Sequence, residues 1–203
     1  MIGDRAFARD AAVVIELGRA EIEGFLDGGV LPVIKHMPGH GRAFADSHKE
    51  LPRVSASLEE LSATDFVTFR SLNSAPIAMT AHVVYDCIDA QRPATTSAKL
   101  IREIIRGEIG FGGLLVSDDL SMNALEGPMG VRARHALFAG CDVVIHCNGR
   151  MDEMKEVAAE AKPLEGLSAT RADAALALVN EPRAAIDVEA GEARLAELLG
   201  VVA

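Results

Sequence analysis

An α/β fold built on a parallel sheet, of the (β/α)8 TIM-barrel type but with only about four βα units, is what this sequence predicts. Three observations predict it. Short apolar runs without clean alternation, at Leu31–Lys35, Ala75–Val84, Leu114–Ser117 and Asp142–Cys147, recur roughly every 30 to 45 residues with helical patterns between them, the spacing of βα units. Each run ends in polar residues: Lys35-His36, Thr80 with His82, Ser117-Asp118-Asp119, and His146 with Asn148. Side chains that carry chemistry collect in that way at the carboxyl ends of barrel strands. No Gly-x-Gly-x-x-Gly follows a strand, which weakens the alternative of a dinucleotide-binding sheet.

Taken in order, Asp10 is placed to cap a helix running to Asp27, with Val14, Leu17, Ile22, Phe25 and Leu26 as its apolar positions and Gly28-Gly29 as its stop. Leu31–Lys35 follows as the first strand. Ser57-Leu58-Glu59-Glu60 is a capping box, and the helix it opens carries Leu58, Leu61, Phe66 and Phe69 on one side. Ala75–Val84 is the second strand. Ser97 caps a helix through Arg106, Gly112-Gly113 introduces the strand Leu114–Ser117, and Pro128 to Ala139 forms a helix that Gly140 ends. Asp142–Cys147 is the fourth strand. Helical patterns then cover Met151–Ala161, Ser168–Val179 and Pro182–Leu199, and the last, about residues 181–203, extends a single domain spanning 1–203.

Composition narrows the function. The chain has 203 residues, is 49% apolar, and contains no Trp and one Tyr, so its core must be aliphatic. A net charge of −10 argues against nucleic acid, since phosphate binding needs a basic face. No apolar run is long enough for a membrane span, and the N-terminus lacks the basic and apolar regions of a signal peptide. The cysteines, Cys87, Cys141 and Cys147, are odd in number and lie in or beside apolar segments, which predicts reduced core thiols in a cytoplasmic protein.

The stretch that carries chemistry is Lys35-His36-Met37-Pro38-Gly39-His40-Gly41, followed by Asp46-Ser47-His48. It places half of the six histidines beside two cations and a carboxylate, where Pro and Gly end an apolar run. A second stretch reads Ile104-Ile105-Arg106-Gly107-Glu108, then Gly113-Leu114-Leu115-Val116-Ser117-Asp118-Asp119-Leu120-Ser121-Met122. Taken alone, the first could be a solvated turn, and Asp118-Asp119 a helix N-cap pair.

Together, and in this order, the two stretches resemble the signatures of family 3 glycoside hydrolases, and within that family the bacterial β-N-acetylglucosaminidases of cell-wall recycling. Ile2-Gly3-Asp4-Arg5-Ala6-Phe7 is similar to a segment that follows the fourth barrel strand in those enzymes. The resemblance covers about residues 1–180. It implies that the chain holds the last four βα units of a barrel, truncated at its N-terminal side and followed by C-terminal helices. Met37 departs from the pattern, where the family usually has Phe.

The resemblance implies a retaining, exo-acting hydrolase (β-N-acetylhexosaminidase class) that removes terminal β-linked N-acetylglucosamine from muropeptide fragments during peptidoglycan recycling. Asp118 matches the nucleophile. Asp46 and His48 match an acid/base dyad, in which an imidazole near pKa 6.5 gives and takes the proton while Asp46 orients the ring. Lys35, His36 and Arg5 match residues that hold the sugar. No cofactor is implied. Two other readings stand beside this one: a catalytically inactive remnant that keeps the motifs, and a His-rich metal-binding protein using His36, His40, Asp46 and His48. Four strands cut from a barrel also leave two edges unpaired, which predicts self-association. His40, His82 and His146 receive no role, and His135 is taken as structural.

Overall fold

The computed structural model describes residues 6–43, 51–180 and 187–200. Helix α1 (Ala11–Asp27) starts where expected, because the Asp10 carboxylate accepts from the N–H groups of Ala12 and Val13. Its packing is looser than its apolar periodicity suggests. Val14, Ile22 and Leu26 are half-buried, whereas Leu17 and Phe25 are exposed. Strand β1 (Val33–Met37) begins later than Leu31 and runs through both Lys35 and His36.

One short element, β2 (Arg53–Val54), has no counterpart in the expected elements, and another, β4 (Val84–Tyr85), overlaps the end of an expected strand. β2 pairs in parallel with β4, forming a separate two-stranded sheet. The run Ala75–Val84 is therefore split into β3 (Ile77–Thr80) and β4, with His82 between them. The helix opened by Ser57 is also split. α2 (Leu58–Ala63) is capped by the Ser57 hydroxyl accepting from Glu60 N–H, but Thr64 leaves the helical region and α3 (Asp65–Ser71) starts afresh. The break buries Leu61 and Phe66 completely while leaving Leu58 exposed.

Ser97 caps α4 (Ala98–Leu100), which continues as a π-helical stretch, Ile101–Glu108. Ile109 N–H reaches the Ile104 carbonyl at 2.8 Å, the i→i+5 reach of that geometry. β5 (Leu114–Asp119) carries the double Asp at its carboxyl end. α5 (Met129–Ala139) closes on Gly140, whose φ of 118° is left-handed, as an αL helix stop requires. β6 (Val143–Ile145), α6 (Met151–Glu160), α7 (Gly166–Asn180) and α8 (Val188–Leu199) complete the described chain. The expected helix start at Pro182 lies outside the described residues.

The main sheet has the order β1-β3-β5-β6, every pair parallel. Each crossover steps to the next strand in the same direction. A doubly wound sheet reverses direction at a switch point, whereas a barrel wall does not, so the α/β architecture is of the barrel type. One face is dry: Ile34, Ala78, Leu115 and Val144 pack with Ile101, Ile105, Ala133 and Ala136 from the helices. Full burial of an aliphatic side chain such as Leu115 contributes about 1.5–3 kcal/mol. On the opposite face, Val33 is 40% exposed and Ile77, Met79, Val143 and Ile145 are half-exposed. Gly113 lets β5 start against β3: a Cβ there would sit 2.5 Å from the Pro76 carbonyl oxygen.

The amino end of the sheet is locked by Asp142. Its carboxylate accepts from Leu115 N–H (2.8 Å), Ser168 Oγ (2.6 Å), Arg106 (2.8 Å) and Arg171 (2.8 Å), joining β5, β6, the π-helical stretch and α7. Of the three cysteines, all free, only Cys141 is buried; Cys87 and Cys147 are exposed, so the core reading holds for one of them. His135 lies exposed on α5. Among the described residues no helix is long and apolar enough to cross a membrane.

Burial opposes the charge on Asp142, but its four donors outweigh that effect and hold its carboxyl below the usual value. Stabilisation from such a group is present above the unfolded-state pKa of about 3.9 and is lost as pH falls through the lower folded value. Asp142→Asn should therefore cost about 3–5 kcal/mol in urea unfolding at pH 7, because it strands two cations. The difference from wild type should shrink in melts below pH 4.

Candidate active site

The site forms where β1, β3, β5 and β6 end. His36 comes from β1 and Asp118 from β5, the strands on either side of β3. His36 Nε2 lies 3.6 Å from Asp118 Oδ2, just beyond direct hydrogen-bond length and close enough for a hydroxyl or water to join them. The side chains are 15% and 13% exposed, so each is mostly withdrawn from solvent yet reachable. Regular alternation would send consecutive residues to opposite faces, but the β1–β3 register shifts between Ile34 and Met37. Such an irregularity re-aims side chains. Here Lys35 is exposed and lines a cavity together with His36, although the two are adjacent in sequence.

The loop after β1 is fixed from below. Tyr85 Oη donates to the Gly39 carbonyl. Arg42 donates through Nε to Asp65 (2.6 Å), through one terminal nitrogen to Glu60 (2.7 Å) and through the other to Thr64 Oγ1 (3.0 Å). Burial and the neighbouring Asp65 carboxylate push the Tyr85 hydroxyl far above its usual pKa, so it remains a donor. The His40 ring meets His36 edge-on with centroids 5.5 Å apart, which places it beside the site.

Asp118 and Asp119 part company. Asp118 Oδ1 accepts from Asp119 N–H at 2.8 Å, leaving Oδ2 toward His36. The Asp119 carboxylate instead accepts from Ser121 N–H (2.9 Å), Ser121 Oγ (2.6 Å) and Cys147 N–H (3.0 Å). Burial would raise its pKa, but these donors outweigh burial and hold the carboxyl below its usual value. No helix starts here, since turns follow until α5, so Asp119 closes an Asx turn rather than capping a helix. His146 Nε2 contacts Glu153 Oε2 at 2.9 Å, and Asn148 donates to the same oxygen at 2.7 Å, tying the end of β6 to α6.

A cavity of about 850 Å³ runs between α1, β1 and α3 and touches the site through Lys35, His36 and His40. Asp118 lies outside its lining. Arg5, Asp46 and His48 lie outside the described residues, so the structure brings together His36 and Asp118, with Lys35 beside them. Among the described residues no group of three or more His, Cys, Asp or Glu could hold a metal ion; the proposed metal set included Asp46 and His48. Reading the sequence missed the Asp119–Ser121–Cys147 anchor and the contacts of His82, and only the spacing Asp-x-Ser hinted at the former.

Comparison with known proteins adds context to this geometry. Residues 1–181 match the glycosyl hydrolase family 3 N terminal domain. The chain is 47% identical over 152 residues to a beta-hexosaminidase of Alkalilimnicola ehrlichii, covering 73% of this chain and 43% of that protein. It is 46% identical over 155 residues to one from Tolumonas auensis, covering 74% and 46%. Among solved structures, NagZ from Neisseria gonorrhoeae in complex with N-trifluoroacetyl-D-glucosamine superimposes with a TM-score of 0.81 at 35% identity, over 97% of this chain and 59% of that one. The chain thus spans less than half the length of these two curated relatives.

The three-donor anchor of Asp119 generates a test. Asp119→Ala should lower stability by about 1–3 kcal/mol, the cost of leaving buried donors unmet. Amide exchange should accelerate at Ser121 and Cys147 before it does so in β3. Unchanged exchange at both amides would show that the turn holds without the carboxylate.

Proposed function

Because the chain belongs to the glycosyl hydrolase family 3 N terminal domain family, we propose that it contributes the reacting groups of a retaining exo-β-N-acetylglucosaminidase. One observation carries the reading: Asp118 and His36, from strands two apart, face each other over 3.6 Å at the carboxyl end of the sheet. In this mechanism Asp118 attacks the anomeric carbon as the glycosidic oxygen departs with a proton from His48. A glycosyl ester on Asp118 results. His48, oriented by Asp46, then removes a proton from water, which attacks the same carbon and releases the sugar with its configuration retained.

Lys35, His36 and Arg5 are assigned to the sugar hydroxyls. Donors of this kind discriminate strongly, since a ligand lacking the hydroxyl leaves them unpaired. The substrate proposed is a muropeptide fragment with terminal β-linked N-acetylglucosamine, met in the cytoplasm. The ligand-bound NagZ structure supports the sugar class, and three free cysteines suit a reducing compartment.

The half-exposed face of the sheet favours a second reading, in which the chain by itself binds sugar weakly and turns over little. Val33, Ile77, Met79, Val143 and Ile145 there require an apolar layer opposite, and a barrel pocket is walled by loops from all eight strands. Pairing of these edges between copies is the form of self-association proposed.

Two measurements separate these readings. After incubation with an aryl N-acetyl-β-glucosaminide and rapid quenching, peptide mass spectrometry should find an N-acetylhexosaminyl ester on Asp118 and none in Asp118→Asn. Hydrolysis by that variant should fall by orders of magnitude, and wild-type-like turnover would remove Asp118 from the role. His48→Ala should slow glycosylation by about 10²–10⁴-fold for poor leaving groups and far less for activated aryl ones. Equal loss for both classes would point to a structural part for His48.

A further inference from the structure

His82 is a fully buried histidine between β3 and β4, outside every role assigned above. Its Nε2 lies 3.0 Å from the backbone carbonyl oxygen of Asp119, and its Nδ1 lies 2.7 Å from Thr95 Oγ1. Thr95 is itself fully buried and lies 2.8 Å from Thr80 Oγ1, also buried.

The donors in this chain can be placed by elimination. A carbonyl oxygen only accepts, so Nε2 carries the hydrogen. Burial outweighs the nearby carboxylates of Asp118 and Asp119 and lowers the His82 pKa, which leaves the ring neutral and Nδ1 an acceptor. Thr95 Oγ1–H therefore donates to Nδ1, and Thr80 Oγ1–H donates to Thr95. The Ala81 carbonyl, 3.1 Å from Thr95 Oγ1, is still served by Thr95 N–H. Every polar atom of the relay has a partner without a charge being buried.

The peptide that His82 holds is the one that matters. Its carbonyl is fixed by His82, and its N–H, that of Leu120, donates to the Ile145 carbonyl at 2.9 Å. The plane joining Asp119 to Leu120 is thus pinned at both ends. On its amino side, Asp119 N–H holds Asp118 Oδ1 at 2.8 Å. The two peptide planes share the Cα of Asp119, so anchoring the Asp119–Leu120 plane resists displacement of that Cα, which would carry the Asp119 N–H away from Asp118.

We propose that His82, kept in its Nε2–H tautomer by the Thr80–Thr95 hydroxyl relay, is a positioning residue that locks the Asp119–Leu120 peptide and so aims the Asp118 carboxylate. It acts through the backbone and touches no substrate. The proposal rests on the nucleophile assignment for its catalytic consequence, but not for its structural content.

The test is amide hydrogen exchange and imidazole ¹⁵N NMR on the 203-residue chain. Wild type should show a neutral Nε2–H ring at His82; an Nδ1–H ring would overturn the assignment. His82→Leu should speed exchange at Asp119 and Leu120 by about tenfold or more, with the amides of Ala78 and Leu115 unchanged. His82→Gln, which keeps a donor for the carbonyl and an acceptor for Thr95, should return most of that protection. Equal acceleration throughout the sheet, or none at Leu120, would reduce His82 to core filler. Labelling of Asp118 by the activated aryl glycoside should slow at least tenfold in His82→Leu and recover in His82→Gln. A wild-type chain that takes no label sinks the hydrolase reading, and exchange and tautomer then decide the His82 assignment alone.

Discussion

Parallel pairing of β3 with β1 on one side and β5 on the other is the constraint on which the site depends. Ile77 is in register with both Val33 and Leu114, so the flanking strands end at comparable heights. Strands two apart in a sheet are separated by about 10 Å. An imidazole and a carboxylate reaching inward from those strands span most of that distance. Their meeting at 3.6 Å is therefore a consequence of strand order and register, and it needs no loop to fold over the sheet. Asp142 protects the same register from the opposite end, since one carboxylate binds the start of β5 to α7 and to two arginines.

Several polar groups around the strand ends hold neighbouring elements together. Asp119, Ser121 and the Cys147 N–H join β5 to β6; His82 and two threonines join the β3 end to β5; Arg42 and Tyr85 hold the loop after β1. Each of these groups is hydrogen-bonded to a neighbouring element. His36 and Asp118 sit among them, mostly withdrawn from solvent yet reachable. Rigid surroundings of this kind are what a precisely placed pair of side chains requires.

Much of this was legible in the sequence where a local signal has a local cause. Asp10 and Ser57 cap helices through their own side chains, Gly140 stops α5 because it alone tolerates the left-handed turn, and the four sheet strands announce themselves as apolar runs. The elements that escaped depend on partners distant in sequence. β2 and β4 are two residues each and exist only because they pair with one another. The break at Thr64 trades one longer helix for complete burial of Leu61 and Phe66, a packing gain invisible to periodicity. A lone histidine such as His82 reads identically whether it fills space or holds a carbonyl, because its partners Thr95 and Asp119 are set by the fold. Cys87 and Cys147 misled for a similar reason: apolar neighbours in sequence did not become neighbours in space.

The most direct measurement is a residue-resolved NMR titration of the chain with N-acetyl-D-glucosamine, following imidazole, carboxyl and lysine side-chain signals. A sugar site at the strand ends predicts that His36, Asp118 and Lys35 shift together with one binding curve, while Asp142 at the opposite end stays still. Shifts confined to α1 and the cavity beside it, with His36 and Asp118 silent, would contradict a carbohydrate site built on this pair.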